Sequence, residues 1–138
     1  MILTTGKPKT VSKSRRAKEN IMAVKHVDLD DVYDIKTSTN DVFVDVTIGD
    51  GQVGSYSVFL GRDLIKSNAP ANIGKRSDID GKNTIVTVAI VDTLKSTNWT
   101  SITIKVTEGG TETVYGPYKA MAEKHLDTVM YSLKLINQ

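Results

Sequence analysis

The chain has 138 residues, of which 39% are hydrophobic and 25% charged, with a formal net charge of +2, a size and composition that fit one globular domain with a core of its own. It contains no cysteine, which excludes disulfides, thiolate metal sites and cysteine catalysis. No apolar run approaches the ~20 residues of a membrane span, and the opening stretch MILTTGKPKTVSKSRRAK has no apolar segment after its charges; no membrane partner and no secretory signal are expected, and the expected location is cytoplasmic.

The small net charge conceals an asymmetry. Residues 1–25 carry Lys7, Lys9, Lys13, Arg15, Arg16, Lys18 and Lys25 against Glu19 alone, or +6, while the remainder holds eleven basic and fifteen acidic residues, or −4. A basic arm on a mildly acidic body points to a polyanionic partner for the arm. Residues 1–11 lack periodicity and read as a mobile tail. From Ser12 a short helix is expected, with Ala17, Ile21 and Val24 on one stripe. The arm is assigned to residues 1–27, flexible or partly helical, and a single β-rich domain to residues 28–138.

The acidic stretch Asp28, Asp30, Asp31 and Asp34 is expected to lead into the first strand. Val42, Val44, Val46 and Ile48 alternate with more polar residues, which is the period of a half-buried strand. Gly49-Asp50-Gly51-Gln52 signals a turn, and Tyr56, Val58 and Leu60 share one face of a returning strand, so Asp41–Leu60 reads as a hairpin. Arg62–Ser67 reads as a helical turn and Asn68–Asn83 as a long loop. Thr84–Val91 is apolar on both faces, as in a central, covered strand. Ser101–Thr107 and Thr111–Tyr115 flank Gly109-Gly110, a primed two-residue turn. After Gly116-Pro117, Tyr118, Ala122, Leu126, Val129, Leu133 and Ile136 repeat at helical spacing and predict an amphipathic helix over 118–136.

Motifs for chemistry are sparse. Gly49–Gly54 matches G-x-G-x-x-G, but a dinucleotide site needs a helix to begin there, and Ser55–Leu60 has strand character. Asp78–Asn83 has its glycine two positions too early for an EF-hand loop, and Ala89 stands where the bidentate Glu belongs. His26 and His125 are the only histidines and neither has a local acid–base partner. No catalytic motif, cofactor site or metal site is assigned.

The expected fold is therefore β-rich, all-β or α+β: a mainly antiparallel sheet or sandwich of about five to six strands with a C-terminal amphipathic helix and a basic N-terminal arm. The expected function is non-enzymatic. It is that of a structural or assembly subunit acting through protein–protein contacts, as a homo-oligomer or with other subunits, in a shell, tube or coat. Tyr118, Ala122, Leu126, Val129, Leu133, Ile136 and Trp99 are the candidate interface residues. The alternative is a nucleic-acid-associated protein whose Lys7, Lys9, Lys13, Arg15, Arg16 and Lys18 grip the phosphate backbone without sequence preference.

Overall fold

The computed structural model describes residues 22–138. The first strand, β1 (Val24–Tyr33), is the acidic stretch itself. It is followed by β2 (Val42–Ile48), β3 (Gly54–Leu60), β4 (Asp63–Ser67), β5 (Ala71–Gly74), the four-residue helix α1 (Arg76–Ile79), β6 (Asn83–Val91), β7 (Trp99–Glu108), β8 (Thr111–Met121) and β9 (Thr128–Asn137). One sheet has the order β1-β9-β6-β3-β4 and the other β5-β2-β7-β8. Every pairing is antiparallel except that of β1 with β9.

The inner faces of the two sheets share one core. Val42, Val44 and Val46 of β2 and Ile102, Ile104 and Val106 of β7 meet Val86, Val88 and Ile90 of β6 and Val129, Tyr131, Leu133 and Leu135 of β9, all of them buried. Each set occupies alternate positions of its strand, so one face is apolar and the other free to be polar. The fold is a β-sandwich.

One expectation holds in part and one in detail. Thr84–Val91 lies in β6, which is central, pairing with β9 on one side and β3 on the other, but only one of its faces is buried. β7 and β8 form the hairpin around Gly109-Gly110, with Glu108 opposite Thr111 and Gly109 at φ 59°.

The helix over 118–136 is not present: residues 118–121 complete β8 and residues 128–137 form β9. The cause is an ambiguity of spacing. A step of four residues returns to the same face of a helix and, being twice two, to the same face of a strand. Val129 and Leu133 satisfied both templates. Tyr131 lies between them and Leu135 follows, on the same buried face, and only a period of two accommodates all four.

Nor does Gly116-Pro117 end the sheet. β8 runs through it, with Gly116 and Pro117 together opposite Thr103. Proline is tolerated on an edge strand at a bulge, and Gly116 has φ 96°, where an added Cβ would lie 2.8 Å from Tyr118 N and 2.9 Å from Ile102 O.

Asp41–Leu60 is not a hairpin, because β2 and β3 belong to different sheets. Their apolar faces meet across the core instead of lying side by side. The 49–53 corner between them is anchored where Gly49 N donates to Ser101 O (2.9 Å) and Gln52 N donates to Gly49 O (3.1 Å). The long loop is mostly ordered structure as well. Gly61-Arg62 is a tight turn into β4, and β5 and α1 follow, with Ile79 of α1 buried in the core. At the other end, residues 24–27, assigned above to the arm, open β1. The remainder of the arm, and the short helix expected from Ser12, lie outside the described residues except for Val24, which is in a strand.

Candidate interaction surfaces

Strand register determines what the five-stranded sheet shows on its outer face. One cross-strand row reads Leu64, Phe59, Ile85, Lys134 and Asp30, and the next reads Asn83, Ile136 and Val32. On the other side of the first row lies Ser67, Ser57, Thr87, Ser132 and Asp28, a hydroxyl band in which the Ser57 and Ser67 Oγ atoms are 2.8 Å apart. Beyond it come Ser55, Ala89, Met130 and His26, and then Val91, Thr128 and Val24. Among the described residues no helix covers this face. Leu64 is 57% exposed, Val24 50% and Ile136 40%, with Val32 and Val91 also exposed. Several large apolar side chains on one flat face are a feature of binding surfaces.

The outer face of the four-stranded sheet is more broken. Phe43, Trp99, Val114 and Met121 are exposed there, interspersed with the Lys105–Glu112 ion pair (3.5 Å) and with Lys119, whose Nζ lies 5.9 Å from the Trp99 ring centroid and 3.4 Å from Asp50 Oδ1.

Among the described strands β1 lies at an edge, and its hydrogen-bonding polarity can be read from its ends. Ala23 O accepts from Thr128 N and Tyr33 O accepts from Gln138 N. In a parallel ladder alternate residues bond to a given neighbour, so the odd-numbered residues of β1 turn toward β9 and the even-numbered ones turn outward. Val32 conforms: its N–H donates to Asp31 Oδ1 (2.8 Å) and its carbonyl accepts from the Tyr115 hydroxyl (2.8 Å). The outward main-chain groups of Val24, His26, Asp28 and Asp30 face no described strand. Asp28, Asp30, Asp31 and Asp34 are all exposed along this edge. Their field reaches across the sandwich: the Tyr115 hydroxyl is pushed up to about 12, first by burial and then by Asp31 and Asp34.

At the Val24 end, a concavity of about 470 Å³ opens between β1 and the 122–127 segment, lined by Ala23, Lys25, Ala122, Lys124, Asp127 and others. Lys25 Nζ donates to Met121 O there (2.8 Å), linking the edges of the two sheets. Asp127 organises the same corner, accepting from Ala23 N (3.0 Å) and Lys124 N (3.2 Å). A second concavity, of about 420 Å³, lies at Asn40, Asp41, Phe43, Lys75 and Thr107. Asp41 is held below the usual aspartate value there, first by its hydrogen bond from Asn72 and then by Lys75.

Two buried polar groups tie loops to the sandwich. Glu108, 2% exposed, accepts hydrogen bonds from the Tyr33 hydroxyl, Lys36 N, Thr37 N and Thr37 Oγ1. Burial pushes its carboxyl up, but these bonds together hold it below the ordinary glutamate value. Gln52 is buried in the 49–53 corner and donates through Nε2 to Asp92 Oδ1 (2.8 Å) and Trp99 O (3.3 Å), while Thr93 N donates to its Oε1 (3.3 Å). Sequence reasoning missed both. Their partners lie 40 to 75 residues away, and the only local sign of Gln52 is a long polar residue in a turn.

The structure disperses the residues assigned to a helical interface. Val129 and Leu133 are buried between the sheets, and Ala122 is buried at the start of the 122–127 segment. Tyr118 is half-buried on β8, and Leu126, at φ 73°, is exposed in the connection to β9. Ile136 lies on the outer face of the five-stranded sheet and Trp99 on that of the four-stranded sheet, so these seven residues form no single surface. Lys7, Lys9, Lys13, Arg15, Arg16 and Lys18 lie outside the described residues. Among the described residues, no three His, Asp or Glu side chains come together as metal ligands, and no helix is long and apolar enough to cross a membrane. The 49–54 glycine motif leads into strand β3. Compared with known proteins, the chain matches no family model, no curated protein and no solved structure.

Proposed function

We propose that the protein is a non-enzymatic structural subunit that self-assembles through protein–protein contacts in a cytoplasmic particle such as a shell, tube or coat. The observation that carries this reading is the uncovered outer face of the five-stranded sheet. There Leu64, Phe59, Ile85, Ile136 and Val32 lie in adjacent cross-strand rows. Burying such a face against a second protein removes apolar area from water at roughly 25 cal/mol per Å², and closed symmetric association with a second copy is the commonest outcome for a soluble chain. Light scattering on the full chain at micromolar concentration tests it. An oligomer is expected, and Leu64→Lys combined with Ile136→Lys should shift the population toward monomer without loss of fold, because both side chains are exposed. A wild-type protein that stays monomeric would remove the reading.

A second reading rests on the charge asymmetry: residues 1–25 carry +6 and the remainder −4. In it, the basic segment binds nucleic-acid phosphates without reading sequence. Four to six phosphate contacts imply a slope of log affinity against log salt of roughly −4 to −5 on duplex DNA. Fluorescence anisotropy with labelled DNA at several salt concentrations measures that slope. The two activities are compatible in a coat subunit that packages nucleic acid.

A further inference from the structure

We infer that the outward edge of β1 is a docking site for the basic N-terminal segment, residues 7–18, of a second copy of this chain, added as an extra strand beside Asp28 and Asp30. The inference rests on the self-assembly reading and adds a second contact to the sheet face.

β1 is ten residues long, and a strand edge of that length is a template for another strand unless it is guarded. Its guard is charge: Asp28 and Asp30 stand on the outer face, two residues apart on one strand. Like charges placed opposite one another oppose pairing, so this edge disfavours pairing with the same edge of another copy. A basic strand meets no such barrier.

The chain supplies one. Residues 1–21 carry Lys7, Lys9, Lys13, Arg15, Arg16 and Lys18 against Glu19, or +5. These cations come in pairs two residues apart: Lys7 with Lys9, Lys13 with Arg15, and Arg16 with Lys18. In a strand, residues i and i+2 share a face, so any one of the three pairs can lie over Asp28 and Asp30 while the main chain bonds the outward groups of Val24 to Asp30. The segment is long enough: twelve extended residues span about 40 Å, against about 23 Å for the seven residues from Val24 to Asp30. The five residues that join it to β1, 19–23, reach at most about 18 Å, so the edge it joins belongs to a copy packed directly alongside. Main-chain bonds would supply affinity and the alternating charges selectivity, as in other strand-addition complexes.

Charge reversal in the full chain tests it, read by light scattering at low salt. The edge variant carries Asp28→Lys and Asp30→Lys; the segment variant carries Lys13→Glu, Arg15→Glu, Arg16→Glu and Lys18→Glu. Each variant alone should lose association by at least tenfold in dissociation constant. An equimolar mixture should regain it, since each variant's segment then complements the other's edge. A single chain bearing both sets should also regain it, which shows in addition that the substitutions leave the fold intact. If the wild type assembles and neither reversal weakens it, the docking site is wrong and self-assembly stands on another surface. If the doubly reversed chain recovers but the mixture does not, the segment pairs with its own edge and the proposal of exchange between copies is overturned. A wild type that is monomeric overturns both.

Discussion

The Tyr33 hydroxyl donates a 2.5 Å hydrogen bond to Oε1 of Glu108, joining the end of the first described strand to the end of β7 across 75 residues of sequence. The same carboxylate accepts from Lys36 N at 2.9 Å and Thr37 N at 2.6 Å, so one buried anion holds the whole turn from β1 into β2. An ionised acceptor makes stronger hydrogen bonds than a neutral one, and leaving several buried donors without it is costly.

Glu108→Ala should therefore destabilise the protein by on the order of 3 kcal/mol, and Glu108→Gln by less. The pH dependence follows from the sign of the shift. The folded-state value is depressed, so the unfolded chain binds the proton more readily, and the stability is present above the unfolded glutamate value and lost as pH falls through the lower folded one. Urea unfolding followed from neutral to acidic pH should show a smaller loss of stability for Glu108→Gln than for the wild type. Equal losses would show that other carboxylates govern the acid transition.

Leu133 and Ile136 give opposite responses. On the helix expected from spacing they shared a face; on β9 Leu133 points into the core and Ile136 out of it. Leu133→Ala should cost about 2–5 kcal/mol through lost burial and the cavity left behind. Ile136→Thr, at an exposed position, should cost about 0.5 kcal/mol or less. Chemical denaturation of the two variants measures the contrast, and similar losses would contradict the strand assignment.

Gly116→Ala should destabilise by about 1–3 kcal/mol. The position has φ 96°, and the added methyl would press on main-chain atoms of Tyr118 and Ile102, which cannot move aside as a flexible side chain can. Differential scanning calorimetry tests this. An unchanged Tm would mean that the bulge relaxes freely.

What the sequence disclosed was local. Alternation in β2 and β7 was legible because each has one apolar face, β6 stood out by its run of apolar residues, and Gly109-Gly110 named its own hairpin. What stayed hidden was long-range. Gly49–Gln52 announced a turn, but nothing near it says that the chain changes sheets there. The serine, proline and glycine signals around β4 and β5 hid two short strands, of which β4 pairs with the strand just before it and β5 with the distant β2. The C-terminal segment failed because a step of four fits both a helix and a strand, and the decisive residues, Tyr131 and Leu135, were left out of the pattern. Of the interface residues placed on that helix, Leu126 and Ile136 are exposed and the others are buried or half-buried, while Trp99, placed outside it, is exposed on the other sheet. The outer face of the five-stranded sheet was not legible at all, because it is assembled from strands that become neighbours only after folding.

The parallel seating of β1 against β9 also sets an order in time. Ala23, at the head of β1, bonds to Asp127 across a separation of 104 residues, and every intervening strand is synthesised before the partner of β1 exists. At about 5–20 residues per second, β1 waits roughly 5–20 s with both its edges bare. During that wait a neutral strand would be an invitation to aggregate with other nascent chains. The exposed aspartates of β1 oppose such pairing by their charge for as long as its place in the sheet does not yet exist.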